Sequence, residues 1–197
     1  MEAITKLMYW ISTGLLVPVV VLLIVFFIKA LLTIGRFYSE YITKNKQNKI
    51  LNSVFDSIDS DTIDQELSAI KLEKISLLNI YLNKIIEHKG SEIHCNKIIN
   101  NFETACQKDL GKSQTLSKMG PILGLMGTLI PMGPALTELA TGDIASMANN
   151  MQVAFATTVI GLLIGAIGFV TQQIKKRWYT HDINNLEFVS ELYINKK

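Results

Sequence analysis

Charged side chains vanish from two stretches of this sequence, and that pattern predicts its architecture. Residues 7–28 hold no Asp, Glu, Lys or Arg. As an α-helix these 22 residues extend about 33 Å at ~1.5 Å per residue, which crosses a hydrocarbon core of about 30 Å. A cleaved signal peptide would carry a basic start, an apolar run of about 7–15 residues and a small-residue cleavage site. The opening MEAITK and the longer run fit an uncleaved membrane helix instead. Pro18 lies within it and predicts a kink, which membrane helices tolerate.

The second stretch, residues 119–174, contains no Lys or Arg, and only Glu138 and Asp143 carry charge. Its 56 residues exceed one span. The polar segment ELATGDIASMANN (residues 138–150) predicts a loop, leaving two membrane helices at about 118–139 and 149–174. Lys and Arg near the helix ends then set the topology. Lys29, Arg36, Lys44, Lys46 and Lys49 follow the first span, Lys108, Lys112 and Lys118 precede the second, and Lys175, Lys176 and Arg177 follow the third. The loop has none and the N-terminal side only Lys6. The expectation is an N-terminus outside, residues 38–117 in the cytoplasm, a short outer loop and a cytoplasmic C-terminus.

Residues 38–117 carry 10 Lys against 11 acidic residues, a water-compatible balance. Their apolar positions recur at helical spacing: Leu51, Val54, Phe55 and Ile58; Ile63, Leu67 and Ile70; Ile75, Leu78, Leu82, Ile85 and Ile86; Ile98 and Phe102. The segment reads as amphipathic helices packed into a bundle, with a break at residues 56–61 and Asp61 as a new N-cap. The predicted fold is all-α: a polytopic membrane protein of three transmembrane helices (the first within 1–37), a helical cytoplasmic insert (38–117), a membrane hairpin (118–174) and a C-terminal helix or tail (175–197).

Composition narrows the chemistry. Net charge is +2 and only 18% of residues are charged, so a nucleic-acid binder and a freely soluble enzyme are both disfavoured. Asp56, Asp59, Asp61 and Asp64 resemble a calcium loop only loosely, lacking its sixth-position Gly and twelfth-position Glu. His88, His94 and Cys95 match no zinc spacing, so no metal or other cofactor is expected. Cys95, Phe102 and Cys106 share one helix face, which predicts buried thiols. No nucleophile–base pair or phosphate loop suggests an enzyme.

The hairpin carries the most information. Gly120, Gly124, Gly127 and Pro131 follow steps of four, three and four. Ala154, Thr158, Gly161, Gly165, Gly168 and Gln172 repeat the device. Such small-residue stripes let helices approach closely in lipid, here against each other or against copies of the chain. Thr128, Thr157 and Thr158 either bond back to their own helix or line a polar path. Pro131 and Pro134 remove the N–H partners of the Gly127 and Ile130 carbonyls, making a static kink or a bend beside such a path.

Two motifs, GPILGLMGTLIPM (residues 120–132) and AFATTVIGLLIGAIG (154–168), resemble the second- and third-span signatures of the MotA/TolQ/ExbB family, closest to its ExbB and TolQ branch. The likeness covers residues 119–178, with the same three-span order. It implies an ion channel at the inner membrane, with proton favoured over sodium: a homopentameric ring around two copies of a single-span partner of the ExbD, TolR or MotB type. That partner's membrane Asp would carry the ion. The resemblance matches Thr128 and Thr158 to the family's pore threonines. Two positions depart from the branch: Val153 stands where Glu is usual, and Pro131 where Gly is usual. A non-conducting membrane scaffold, with the small stripes serving assembly alone, is the alternative.

Overall fold

A computed structural model describes residues 2–55, 77–88 and 91–195, and it is all-helical. Its described elements are α1 (Glu2–Gly14), α2 (Leu16–Phe55), α3 (Leu77–Glu87), α4 (Glu92–Thr141) and α5 (Ile144–Asn195). Among the described residues three segments are long and apolar enough to cross a membrane: Lys6–Asn45, Glu92–Thr141 and Ile144–Ile194. Each outlasts a bilayer. The 50 residues of α4 run about 75 Å at ~1.5 Å per residue, against a core of about 30 Å. The charge-poor part of each is what a hydrocarbon core can hold, and the charged residues 92–117 and 175–195 are what it would exclude. The predicted break at 56–61, its Asp61 cap and the Asp56–Asp64 cluster fall outside the described residues.

The kink expected at Pro18 is a break slightly upstream, where α1 ends and α2 begins around Leu15. Pro18 has no N–H for the Gly14 carbonyl and its ring crowds that oxygen, while glycine is itself a weak helix former. Leu15 N instead reaches both Ile11 O and Ser12 O at 3.1 Å, and the ladder resumes with Val19 N to Leu15 O. The loop expected over residues 138–150 is confined to Gly142 and Asp143. Gly142 takes φ +80°, which a side chain would resist. Asp143 then caps α5, accepting a bond from Ser146 N at 3.1 Å. A bond from the Ser146 hydroxyl, followed by that from Ser146 N, holds the Asp143 carboxyl below its ordinary range. Asn150 Nδ2 donates to both Glu138 oxygens at 2.8–2.9 Å, so the polar residues of this stretch pair across the turn.

The chain forms two compact units. The first comprises Met1–Phe37 and Lys112–Gln172. Val19, Leu23 and Ala30 of α2 pack there with Leu116, Leu123 and Ile130 of α4 and Ile164 and Ile167 of α5. Much of its surface is apolar: Leu125, Leu129, Leu136, Phe155, Val159 and Leu162 are all more than half exposed. An apolar surface of this extent belongs in lipid or against other membrane helices.

The second unit comprises Tyr38–Gly111 and Gln173–Lys197. Its core joins Leu78, Leu82 and Ile85 of α3 with Cys95, Phe102 and Cys106 of α4 and Leu186, Val189 and Tyr193 of α5. Both cysteines are buried and free. Tyr81 meets Phe102 edge-on at 5.2 Å. The described part of the insert thus packs against the C-terminal residues, which the insert's own periodicity did not disclose.

Candidate functional site

The two apolar helices of the hairpin touch through backbone. A Cβ on Gly120 would meet Gly161 O and Gly165 N at 2.7 Å. One on Gly161 would meet Gly120 O and Gly124 Cα at 2.6 Å. An added Cβ would lie 3.1 Å from Gly161 Cα at Gly124 and 2.7 Å from the Pro121 ring at Gly165, and at Gly168 it would run into the Ser117 backbone. No other residue type allows this separation, and close backbone contact is what holds helices together where lipid removes the hydrophobic drive.

The threonines divide. Thr157 is buried against Gly127, whose Cβ would fall 2.5 Å from its Oγ1. Its hydroxyl donates to Val153 O at 3.1 Å and Ala154 O at 2.9 Å. Thr128 and Thr158 are only half-buried. Thr128 donates to Leu125 O at 2.7 Å and Thr158 to Ala154 O at 3.2 Å. The buried seam of α5 therefore runs through Thr157, Gly161, Ile164, Gly168 and Thr171, while Thr158 sits at its margin. Four residues before Gly161 and three before it both lie near one face, and the structure turns the first inward. Pro131 is buried and Pro134 half-buried, and α4 runs on through both. Within residues 118–139 and 149–174 the sole carboxylate is Glu138, which lies at the turn end.

One comparison settles the lineage of this hairpin. The model of the MotA/TolQ/ExbB proton channel family matches residues 47–187. The chain belongs to that family. MotA/TolQ/ExbB proteins are channel and transport proteins rather than enzymes, and they form oligomers with single-span partners. The family implies a proton channel subunit of ion-driven motor complexes. With three apolar helices, this member is a multi-pass membrane protein. Comparison with curated proteins gives no match.

The second unit holds a polar cluster that the sequence did not disclose. Lys44 Nζ donates to Asp182 Oδ1 at 2.7 Å and Oδ2 at 2.5 Å, with both side chains largely buried. Lys175 Nζ meets Glu40 at 2.7 Å and Asp109 at 2.8 Å, and the Tyr179 hydroxyl donates to Asp109 at 2.9 Å. A hint was present: Lys175, Tyr179 and Asp182 continue the three-and-four spacing into Leu186, Val189 and Tyr193. A charge inside an apolar stripe calls for a buried partner. The partners stand 138 and 66 positions away, so their identity was not readable. Cys95 donates its thiol to His88 O at 3.8 Å, and His88 and His94 stack at 5.6 Å. Among the described residues no group of three His, Cys, Asp or Glu side chains converges on a metal position.

The cluster predicts alkaline sensitivity. Burial pulls the Lys175 pKa down, but its bonds to Asp109 and Glu40 more than offset this and leave it raised above 10.5. Burial and then the Asp109 charge raise Tyr179 above its ordinary 10.0. Burial, followed by the Asp182 and Asp109 charges, pushes Cys106 from 9.0 to about 12. Each folded value exceeds the unfolded one, so each contribution is full below the unfolded value and disappears as pH rises through the folded one. Unfolding midpoints should fall from about pH 9 upward, and Tyr179→Phe should flatten part of that slope. A constant midpoint between pH 8 and 12 would contradict the buried cluster.

Proposed function

We propose that this protein is the pore-forming subunit of an inner-membrane, ion-driven motor complex. It forms a ring, pentameric by analogy with its family, around single-span partner helices that bring an Asp to membrane depth. The N-terminus lies outside, and residues 38–117 and 175–197 lie in the cytoplasm, as the Lys and Arg distribution requires. The ion enters from outside, rides on the partner's Asp and passes Thr128 and Thr158 to the cytoplasm. Each elementary charge falling through 100 mV supplies about 2.3 kcal/mol to move the partner helices within the ring.

The observation carrying this reading is the separation of the threonines. Thr157 is buried in the helix contact, whereas Thr128 and Thr158 are half-buried, Thr158 at the margin of the glycine seam with its backbone near Gly124. Their hydroxyl hydrogens are engaged by carbonyls of their own helices, which leaves each oxygen able to accept from water or ligate a cation. A carboxylate carrier must come from a second chain, because an ionisable residue at membrane depth is functional by default and the hairpin interior has none.

The test is ion flux into liposomes containing this chain with its partner. Thr158→Ala should lower flux at least about tenfold, a loss of ~1.4 kcal/mol in barrier terms. The complex should stay assembled, since Thr158 meets Gly124 through its backbone, which alanine keeps. Unchanged flux in that variant removes Thr158 from the path. An intact complex of the unaltered chain and partner that passes no ion favours the scaffold reading.

A further inference from the structure

Two of the chain's three histidines meet in the second unit, where α3 gives way to α4. His88 follows the last residue of α3, and His94 stands in the first turn of α4. Both are exposed. Their ring centres are 5.6 Å apart and their planes differ by 19°. Each ring is anchored through Nδ1. His88 Nδ1 lies 3.1 Å from Lys84 O, and a carbonyl only accepts, so Nδ1 carries the proton and the neutral ring keeps its lone pair on Nε2. His94 Nδ1 lies 2.8 Å from the Ser91 hydroxyl, which can accept the Nδ1 proton and so free the second Nε2. The turn itself is tied down. His88 O accepts from Ser91 N at 3.3 Å and from the Cys95 thiol at 3.8 Å, and Cys95 N donates to Ser91 O at 3.0 Å. Cys95 is a core residue, which fixes the start of α4.

We infer that His88 and His94 form a two-imidazole site for a borderline divalent metal ion of the Zn²⁺ class. Two imidazole nitrogens held about 2.1 Å from one Zn²⁺ at a tetrahedral angle set their ring centres about 5 Å apart. The observed 5.6 Å requires a closure of about half an ångström, a small movement for exposed side chains. Metal-bound histidines are commonly oriented in this way, one ring nitrogen donating to a backbone carbonyl or another acceptor while the other ligates. Stacking explains two neighbouring rings. It does not explain why both Nδ1 atoms are tied to the turn and both Nε2 atoms are left over. Imidazole suits Zn²⁺, Cu²⁺ and Ni²⁺, whereas Mg²⁺ and Ca²⁺ prefer oxygen. Cys95 is not a ligand, because its thiol is buried and donates to His88 O. Among the described residues no third His, Cys, Asp or Glu side chain converges there, so water completes the shell. The zinc spacings absent from the sequence describe three or four protein ligands. Two rings six residues apart, brought together by a tethered turn, need no such spacing. Bound metal would pin the end of α3 to the start of α4. The inference is independent of ion conduction.

The probe is Zn²⁺ titrated into untagged, chelator-stripped full-length protein in non-ionic detergent, with free metal followed by a chromophoric indicator. The parent should bind saturably, and its unfolding midpoint should rise with added Zn²⁺. Losing only an outer partner of a metal ligand commonly costs roughly 10–100-fold in affinity, so His88→Ala and His94→Ala, each removing a ligand, should weaken binding at least about tenfold. Neither variant's midpoint should rise as the parent's does. His181→Ala, which removes the remaining histidine, should leave binding unchanged. Excess Mg²⁺ should not displace the Zn²⁺. No saturable binding by the parent overturns the site, as does parent-like affinity or an equal midpoint rise in either alanine variant. Displacement by Mg²⁺ overturns the imidazole assignment in favour of oxygen ligands. Should an alanine variant fail to purify, His88→Gln or His94→Gln is read in its place by the same criterion.

Discussion

Gly161→Val should disrupt the hairpin and cost more than about 3 kcal/mol. Overpacking a core commonly costs about 1–3 kcal/mol because side chains shift to make room. Here the new carbon would meet Gly120 O and Gly124 Cα at 2.6 Å and Gly124 N at 2.9 Å. These are backbone atoms of an adjoining helix, so relief requires moving the helix itself. Separation then weakens the neighbouring contacts at Gly120, Gly124 and Gly165, which are similarly close. The measurement is thermal or denaturant unfolding of the full chain in detergent. Gly111→Ala is the control: nothing lies within 4 Å of the added carbon, and alanine in place of helical glycine should stabilise by up to about 1 kcal/mol. Equal midpoints for Gly161→Val and the parent would remove the glycine contact from the account.

Asp182→Ala should cost the second unit about 3 kcal/mol, the lower part of the range for breaking a buried ion pair. Both Asp182 oxygens are held by Lys44, and the two side chains are 3% and 12% exposed. Removing the carboxylate strands an ammonium whose residual exposure gives it some access to water, hence the lower figure. The intact pair is not thereby strongly stabilising. Burial raises the Asp182 pKa despite Lys44, so ionising it costs more in the fold than in the unfolded chain. Its own contribution is fullest at pH below the unfolded 3.8 and declines as pH rises through the folded value. The double replacement Lys44→Met/Asp182→Leu should therefore recover most of the loss seen in Asp182→Ala. A double variant no better than the single one would show that the pair's geometry, rather than its stranded charge, matters.

How much of this was legible follows from range. The three apolar segments were readable because a bilayer penalises Lys and Arg wherever they occur, so their absence is a local signal. Burial of Cys95, Phe102 and Cys106 was readable for the same reason, since one helix face repeats within a few turns. Pro18 announced a disturbance, but its effect is displaced to Leu15 because the clash falls on a carbonyl four residues back. The short turn at Gly142 was hidden by polar residues that remain helical on either side and pair as Glu138 with Asn150. Lys175 was the hardest case. A lysine just beyond an apolar span ordinarily marks topology, and only its distant partners Glu40 and Asp109 reveal it as buried. In the candidate path, spacing alone could not tell Thr157 from Thr158, because adjacent positions flank the same seam.

The inward turn of two hydroxyl hydrogens has a consequence for what the proposed path admits. Thr128 and Thr158 already give their only O–H groups to Leu125 O and Ala154 O, so toward a passing particle they offer electron pairs alone. Sodium or hydronium finds a ligand in such an oxygen, whereas chloride and hydroxide find nothing to bind. Rejection of anions would then be written into the backbone geometry of two helices, ahead of any sorting by radius.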